Sequence, residues 1–245
     1  YLDGIKCHFV FTHVKKNDCQ MAVRKFIALV KNWLNVRVRV FHYDNERSAG
    51  NEVESMIEAE GCVIEHSPPD LPEMNGPAER SGGVIVKMAR TFINDTDLPK
   101  TMWTEAVYAA AYIANRVPTK IENQWIIPWL ELMKLAAPDG IKYQKINLSN
   151  IRVYGCLAYS RIVDSKRVQS EKMAPRAEIG YLVGYVSKNL YRIWFPHKGG
   201  KNGRVDVVRD AVFDESRQYK SSEKLEFEDA ISIMTDGIEA IHWPM

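Results

Sequence analysis

No stretch of this 245-residue chain comes near the roughly 20 consecutive apolar residues that span a bilayer, so no membrane-crossing helix is expected. The longest apolar runs, 106–114 and 179–185, are broken by tyrosines or glycines and read as core. An excess of one charge is missing too. The 33 Lys and Arg face 31 Asp and Glu, a net charge of +2, which excludes a histone-like polycation and confines any nucleic-acid surface to local clusters. Cysteine is scarce: Cys7, Cys19, Cys62 and Cys156 are scattered without a CxxC pair. They point to buried thiols in a reducing, intracellular compartment rather than a disulfide framework. Cys7, His8, His13 and Cys19 lack the paired spacing of a zinc site. No signal peptide precedes the first elements, and the chain opens on Tyr1 rather than Met, as a piece of a longer protein does.

What is present is an ordinary globular composition, 46% hydrophobic and 26% charged. Residues 7–14 alternate apolar and polar and predict a strand. From Cys19 to Leu34 the apolar positions Val23, Phe26, Ile27, Val30, Trp33 and Leu34 form one helical face, with Asp18 as N-cap. Residues 36–41 predict a second strand, 51–60 a helix closed by Gly61, and 62–65 a third strand. Pro68, Pro69 and Pro72 exclude regular structure from the loop 67–76. A long helix starts near Pro77 and runs to about Asn94; another carries Trp103, Ala106, Val107, Ala110 and Ala114 on one face and ends before Pro118. This order predicts an α/β layer arrangement. Residues 122–150 read as a weakly patterned connector. Beyond them, short strands at 153–159, 179–185, 191–195 and 205–213 predict a small β-barrel, and the charged tail after Glu215 carries little pattern.

Two acids fall where α/β folds place ligands: Asp44 at the C-terminal end of a strand, and Glu79 in the first turn of a helix. Brought together, two carboxylates repel unless a cation lies between them, and hard divalent ions prefer such oxygens. A single surface acid is more often solvated or a helix cap, so the pair alone is a weak signal.

The surrounding residues strengthen it. Asp44-Asn45-Glu46, then 34 positions between Asp44 and Glu79, then Arg80, resemble the last two acids of the D,D-35-E signature of retroviral and retrotransposon integrases. Ser67-Pro68-Pro69 and Met74-Asn75-Gly76-Pro77-Ala78 look like the copia family's run before its final Glu. Leu98-Pro99, Trp103-Thr104-Glu105-Ala106 and Asn115-Arg116-Val117-Pro118-Thr119 are similar to its downstream pattern. Further on, Arg152-Val153-Tyr154-Gly155-Cys156, Ile179-Gly180-Tyr181-Leu182-Val183-Gly184-Tyr185 and Val208-Arg209-Asp210-Ala211-Val212-Phe213-Asp214-Glu215 look like the SH3-like domain that follows the core.

The resemblance, spanning most of residues 1 to about 216, implies the integrase region of a Ty1/copia-type LTR retrotransposon Gag-Pol polyprotein. It implies an RNase H-like core over 1–121 with its first strand missing, a connector 122–150, an SH3-like domain 151–216 and a tail 217–245. The implied activity is metal-dependent 3′-end processing and strand transfer of retrotransposon DNA. Asp44 and Glu79 would bind Mg²⁺ or Mn²⁺, Asn75 would lie in the loop touching the DNA end, and Arg80, Lys87 and Arg90 would reach phosphates. A solvated helix surface is the plain alternative for those three. Implied partners are DNA, further copies of the chain and other polyprotein products such as reverse transcriptase. The implied place of action is the nucleus, with no membrane involved.

The pattern also departs from the family. Its first catalytic Asp belongs before the segment matching 1–14, and Asp3 is no substitute, so the chain by itself is expected to run two-metal chemistry poorly. The acid spacing is one residue shorter than usual, and Glu46 replaces a common glycine. The alternative is a catalytically dead transposon remnant or a domesticated nucleic-acid-binding module; a nuclease of the same fold leaves the SH3-like segment unexplained. Lys198, Lys201 and Arg204 form a basic turn beside Tyr191, Trp194 and Phe195, a nucleic-acid candidate in which at least two of the aromatics are expected to be core.

Overall fold

The computed structural model describes residues 2–13, 18–43, 50–66, 76–136, 146–162, 176–200 and 202–221. By contacts the chain divides into two compact units, one of Tyr1–Met88 with Ala110–Leu148, the other of Ala89–Ala109 with Ser149–Met245.

The first unit is the α/β layer arrangement expected. Helix α1 (Cys19–Leu34) buries Ile27, Val30 and Leu34 along its apolar face and stops where Asn35 turns left-handed, φ 50°, its N–H bonded to the Val30 carbonyl. Asp18 stands at the N-cap position but is already helical and makes no capping bond through its side chain. Strand β1 (Val40–Tyr43), helix α2 (Gly50–Ala59) and strand β2 (Val63–His66) form a strand–helix–strand crossover, with β1 and β2 parallel and Val40 opposite Val63. α2 closes over the pair by burying Val53 and Ile57 against Cys62. Gly61, at φ +74°, makes the turn that ends it.

Residues 8–13, predicted as strand, form none. Leu2 and Cys7 make an isolated antiparallel bridge, and beyond it the backbone of His8 bonds to a side chain, Asn115, instead of to a neighbouring strand. Alternation marks a half-buried extended segment; a strand also needs a ladder partner. The segment packs instead through Phe9, which meets Phe26 of α1 edge-on at 5.4 Å.

Helix α3 (Gly76–Asn94) and helix α4 (Trp103–Ala114) follow the predicted bounds closely. Ala106, Ala110 and Ala114 are buried as expected, whereas Trp103, expected on the same face, is 54% exposed. The first part of the supposed connector carries regular structure: strands β3 (Thr119–Ile121), just before it, and β4 (Gln124–Ile126) make an antiparallel hairpin across Glu122 and Asn123, and helix α5 (Pro128–Ala136) follows. The α5 signal was in the sequence, since Trp129, Leu132, Met133 and Ala136 keep helical spacing and pack on the core of Cys7, Val30 and Leu34.

The second unit is antiparallel β. Strands β5 (Cys156–Arg161), β6 (Ala177–Ser187), β7 (Leu190–Phe195), β8 (Arg204–Val208) and β9 (Ala211–Gln218) form one sheet in the order β8-β7-β6-β5-β9. The single strand predicted over 205–213 is therefore two, separated by Arg209 and Asp210. Those two residues force the sheet to roll. In a flat sheet its edges, β8 and β9, would lie about 19 Å apart at the usual interstrand spacing, yet the link from Val208 to Ala211 spans at most about 11 Å. Register shifts at Cys156/Leu157, Leu182/Gly184 and Tyr185/Ser187 supply the bending. The expected small barrel follows from these constraints.

Strand β7 alternates between two environments. Tyr191, Ile193 and Phe195 join Ala158, Val208, Ala211 and Phe213 in one cluster. Arg192 and Trp194 point the other way, Arg192 to Glu105 and Trp194 to Tyr181 and Tyr219. In the same unit Phe92 stacks on Tyr154 at 4.8 Å, and Gly155, at φ +77°, has no room for a Cβ beside Thr96.

Candidate functional site

Parallel strands deliver their C-terminal ends to one edge of the sheet, and β1 ends at Tyr43, the residue before Asp44. Asp44 lies outside the described residues, as does Asn75. Glu79 is described: it sits in the first turn of α3, exposed, and makes no hydrogen bond or ion pair among the described residues. The partial positive charge of the helix N-terminus favours a carboxylate there. Among the described residues no group of three or more His, Cys, Asp or Glu is placed to hold a metal.

Arg80, Lys87 and Arg90 are exposed on α3. At about 100° per residue, Lys87 lies some 80° around the helix from Glu79, and Arg80 about 100°. The Arg80 guanidinium folds back over Gly76, where a Cβ would meet its Nη1 at 2.9 Å. A cation at a helix N-terminus opposes the helix dipole. Arg90 belongs to the second unit.

A cluster beneath Glu79 escaped sequence reasoning. Ser81, two residues on and therefore on the opposite side of the helix, is 8% exposed, and its Oγ lies 2.8 Å from His8 Nδ1. The His8 N–H donates to Asn115 Oδ1 and the His8 carbonyl accepts from Asn115 Nδ2, both at 2.8 Å. Burial holds the His8 imidazole below its ordinary value. Next to Asn115, Arg116 lies over the rings of Tyr112 and Trp129, at 3.4 and 4.3 Å from their centres. The Asn-Arg pair noted in the sequence is thus part of the scaffold. Separations of 73 and 107 residues leave no local signal that could have joined Ser81, His8 and Asn115.

The basic turn of the barrel is largely neutralised. Lys198 pairs with Glu178 and stands 3.8 Å from Asp206, and Arg204 bonds Asp206 at 2.7 Å. Lys201 lies outside the described residues. Trp194 and Phe195 are 2% and 1% exposed, so both are core, and the indole N–H is satisfied by the Asn202 carbonyl at 3.0 Å. Arginine gathers elsewhere on the barrel: Arg161, Arg176 and Arg209 line an open groove of about 830 Å³ with Tyr159, Tyr191 and Asp210. The Tyr159 hydroxyl is buried without a hydrogen-bond partner among the described residues. Sequence reasoning missed this groove because its arginines come from three separate strand ends.

Residues 156–227 match the retroviral polymerase SH3-like domain family. The chain is 28% identical over 217 residues to the retrovirus-related Pol polyprotein from transposon TNT 1-94 of Nicotiana tabacum, covering 87% of this chain and 15% of that one. It is 31% identical over 196 residues to the retrovirus-related Pol polyprotein from transposon RE2 of Arabidopsis thaliana, covering 78% and 12%. This chain therefore spans only a small part of the length of these relatives. Among solved structures, the catalytic core domain of BIV integrase aligns with 54% of this chain and 81% of its own at 14% identity and TM-score 0.40, values at which the likeness carries no argument. The collinear sequence matches, ending in the SH3-like domain, decide the matter: the chain belongs to the retrovirus-related Pol polyproteins of copia-type retrotransposons.

Proposed function

We propose that the chain is the integrase region of its polyprotein, a core over 1–121 and an SH3-like domain over 151–216, and that it acts in metal-dependent joining of retrotransposon DNA to a target. The observation that carries this is the exposed Glu79 in the first turn of α3, unpaired among the described residues, with Asp44 directly following a parallel strand, inside a motif run collinear with copia-type Pol. Two carboxylates are suitable donors for Mg²⁺ or Mn²⁺. Glu79 and Asp44 would hold the cation, and in the family's pattern a further Asp completes the set. A cation held by them would supply neutralisation of charge on the oxygens of a phosphodiester exchange.

The chain's own part is positioning. Arg80, Lys87 and Arg90 present cations along α3 to DNA phosphates, and Asn75 contributes from the preceding loop. Self-association, cooperation with reverse transcriptase and action in the nucleus belong to the same proposal. It is compatible with the described residues, in which no helix is long and apolar enough to cross a membrane.

Mn²⁺ titration of the full chain tests the reading. Loss of binding in both Glu79→Gln and Asp44→Asn is the expected result; binding that ignores both substitutions overturns it. The arginine groove of the barrel favours a second reading, a nucleic-acid-binding module without chemistry. That reading expects metal-independent DNA binding whose affinity falls with salt, and a shallower salt slope in Arg176→Ala/Arg209→Ala.

A further inference from the structure

We propose that His8 and Ser81 are positioning residues for Glu79: their hydrogen bond sets the rotation of the first turns of α3 and so where the Glu79 carboxylate projects. This rests on the metal-site reading above.

The argument begins with cost. Ser81 is a polar side chain on a buried stripe whose next member, one turn on, is Ile85 at 4% exposure. A hydroxyl there is destabilising unless it is hydrogen-bonded, and its contact is His8 Nδ1 at 2.8 Å. His8 is a rigid partner because its main chain is clamped on both sides by one side chain, the 6%-exposed Asn115 amide. Asn115 is itself fixed at the end of α4: its N–H bonds the Ala111 carbonyl at 3.1 Å, and its carbonyl accepts the Trp129 N–H at 2.8 Å. The N-terminal segment, the Ser81 end of α3, the last turn of α4 and the start of α5 thus converge on the His8–Ser81 contact, through residues that all lie in the first unit.

The geometry of a helix carries this anchor to Glu79. Two residues correspond to about 200° of rotation, so with Ser81 held inward Glu79 must face outward. The contact lies less than one turn from the carboxylate, whereas Ile85 is nearly two turns away and, being apolar, resists rotation only through packing. Removing the hydroxyl frees the first turn to rotate and fray while leaving the fold intact. Outer contacts that orient a ligand commonly change metal affinity by roughly tenfold or more.

The test uses the full chain with Ser81→Ala, which deletes only the hydroxyl, and Ser81→Thr, which restores one. Mn²⁺ affinity is read by titration, the thermal midpoint by circular dichroism, and amide exchange in the first turns of α3 by mass spectrometry without metal. The expected result is a roughly tenfold weaker Mn²⁺ affinity in Ser81→Ala, faster exchange at residues 79–83, an almost unchanged midpoint, and recovery in Ser81→Thr. Glu79-dependent binding that is equally tight in Ser81→Ala overturns the positioning role and leaves the metal site standing. If the wild-type chain shows no Glu79-dependent binding, the metal-site reading falls. Exchange then decides the anchor alone: acceleration in Ser81→Ala supports it and no change removes it.

Discussion

The Glu105 carboxylate of α4 takes both an Nε–H and an Nη2–H from Arg192 of β7, the second at 2.7 Å, in a two-pronged ion pair within the second unit. The Glu105 side chain is 12% exposed and that of Arg192 30%. Glu105 belongs to a motif legible in the sequence, but nothing there indicated that its task is to hold a barrel strand. The hydrogen bonds to Glu105 hold the Arg192 guanidinium above its usual range.

Breaking this pair leaves a charge partly buried without its partner. Glu105→Ala is expected to lower stability by about 1–3 kcal/mol, below the cost of a fully buried pair because the guanidinium is partly hydrated. Arg192→Lys should restore little of the interaction, since an ammonium cannot offer the fork. Urea denaturation followed by tryptophan fluorescence measures both, and a fully stable Arg192→Lys would contradict the two-pronged geometry.

His8 supplies a pH dependence. Burial depresses its folded value below the ordinary 6.5, so the unfolded chain takes up the proton first as pH falls. Its contribution is fully present above the unfolded value and is lost as pH drops from there towards the lower folded value, becoming level beneath it. His8→Gln is expected to flatten the stability–pH curve across that acidic window. A wild-type slope retained in the variant would place the titrating group elsewhere.

Gly82 and Gly83 occupy the interior of α3 with no neighbour among the described residues within 4 Å of where a Cβ would sit. Helix-interior glycine costs about 1 kcal/mol relative to alanine. Each Gly→Ala change should therefore raise stability by up to that amount, read as a higher thermal midpoint. A drop would mean that the open face seen here is filled in solution.

The buried Tyr154 hydroxyl has no hydrogen-bond partner among the described residues, and burial is the largest cause of its raised pKa. Tyr154→Phe keeps the stack on Phe92 while removing an unsatisfied polar atom. The expected change is neutral to about 1 kcal/mol stabilising. A loss well above that in urea denaturation would reveal a partner for the hydroxyl.

The buried thiols should be silent. Burial pushes Cys7 up to about 11 and Cys156 up to about 12, so neither presents a thiolate near neutral pH. In a disulfide-exchange assay the half-buried Cys19 should react in the native chain, with Cys7 and Cys156 reacting only on unfolding.

Hydrophobic period is a local property, so it was readable where an element carries its own pattern. The apolar spacing of α1 yielded Ile27, Val30 and Leu34 as core, and Pro77 and Gly61 marked the start of one helix and the end of another. The same reasoning failed where pairing or length mattered. Residues 8–13 have a strand's alternation but pair in no ladder among the described residues, and β3 and β4, three residues each, are too short to show a period. The 205–213 run concealed a two-residue turn because Arg209 and Asp210 look like the polar half of a longer strand.

By itself the sequence determined most of the long helices, the family and the candidate acids, because these depend on residue identity and on short-range spacing. The tertiary structure alone decided which charged and polar groups meet. It neutralised Lys198 and Arg204 with carboxylates from β6 and β8, gathered Arg161, Arg176 and Arg209 into one groove, and set His8 against Ser81 across 73 residues. The physical reason is range. A helix or strand is specified by neighbours a few residues apart, whereas a charge or hydrogen bond is satisfied by whatever folding brings within about 3 Å, wherever it lies in the chain.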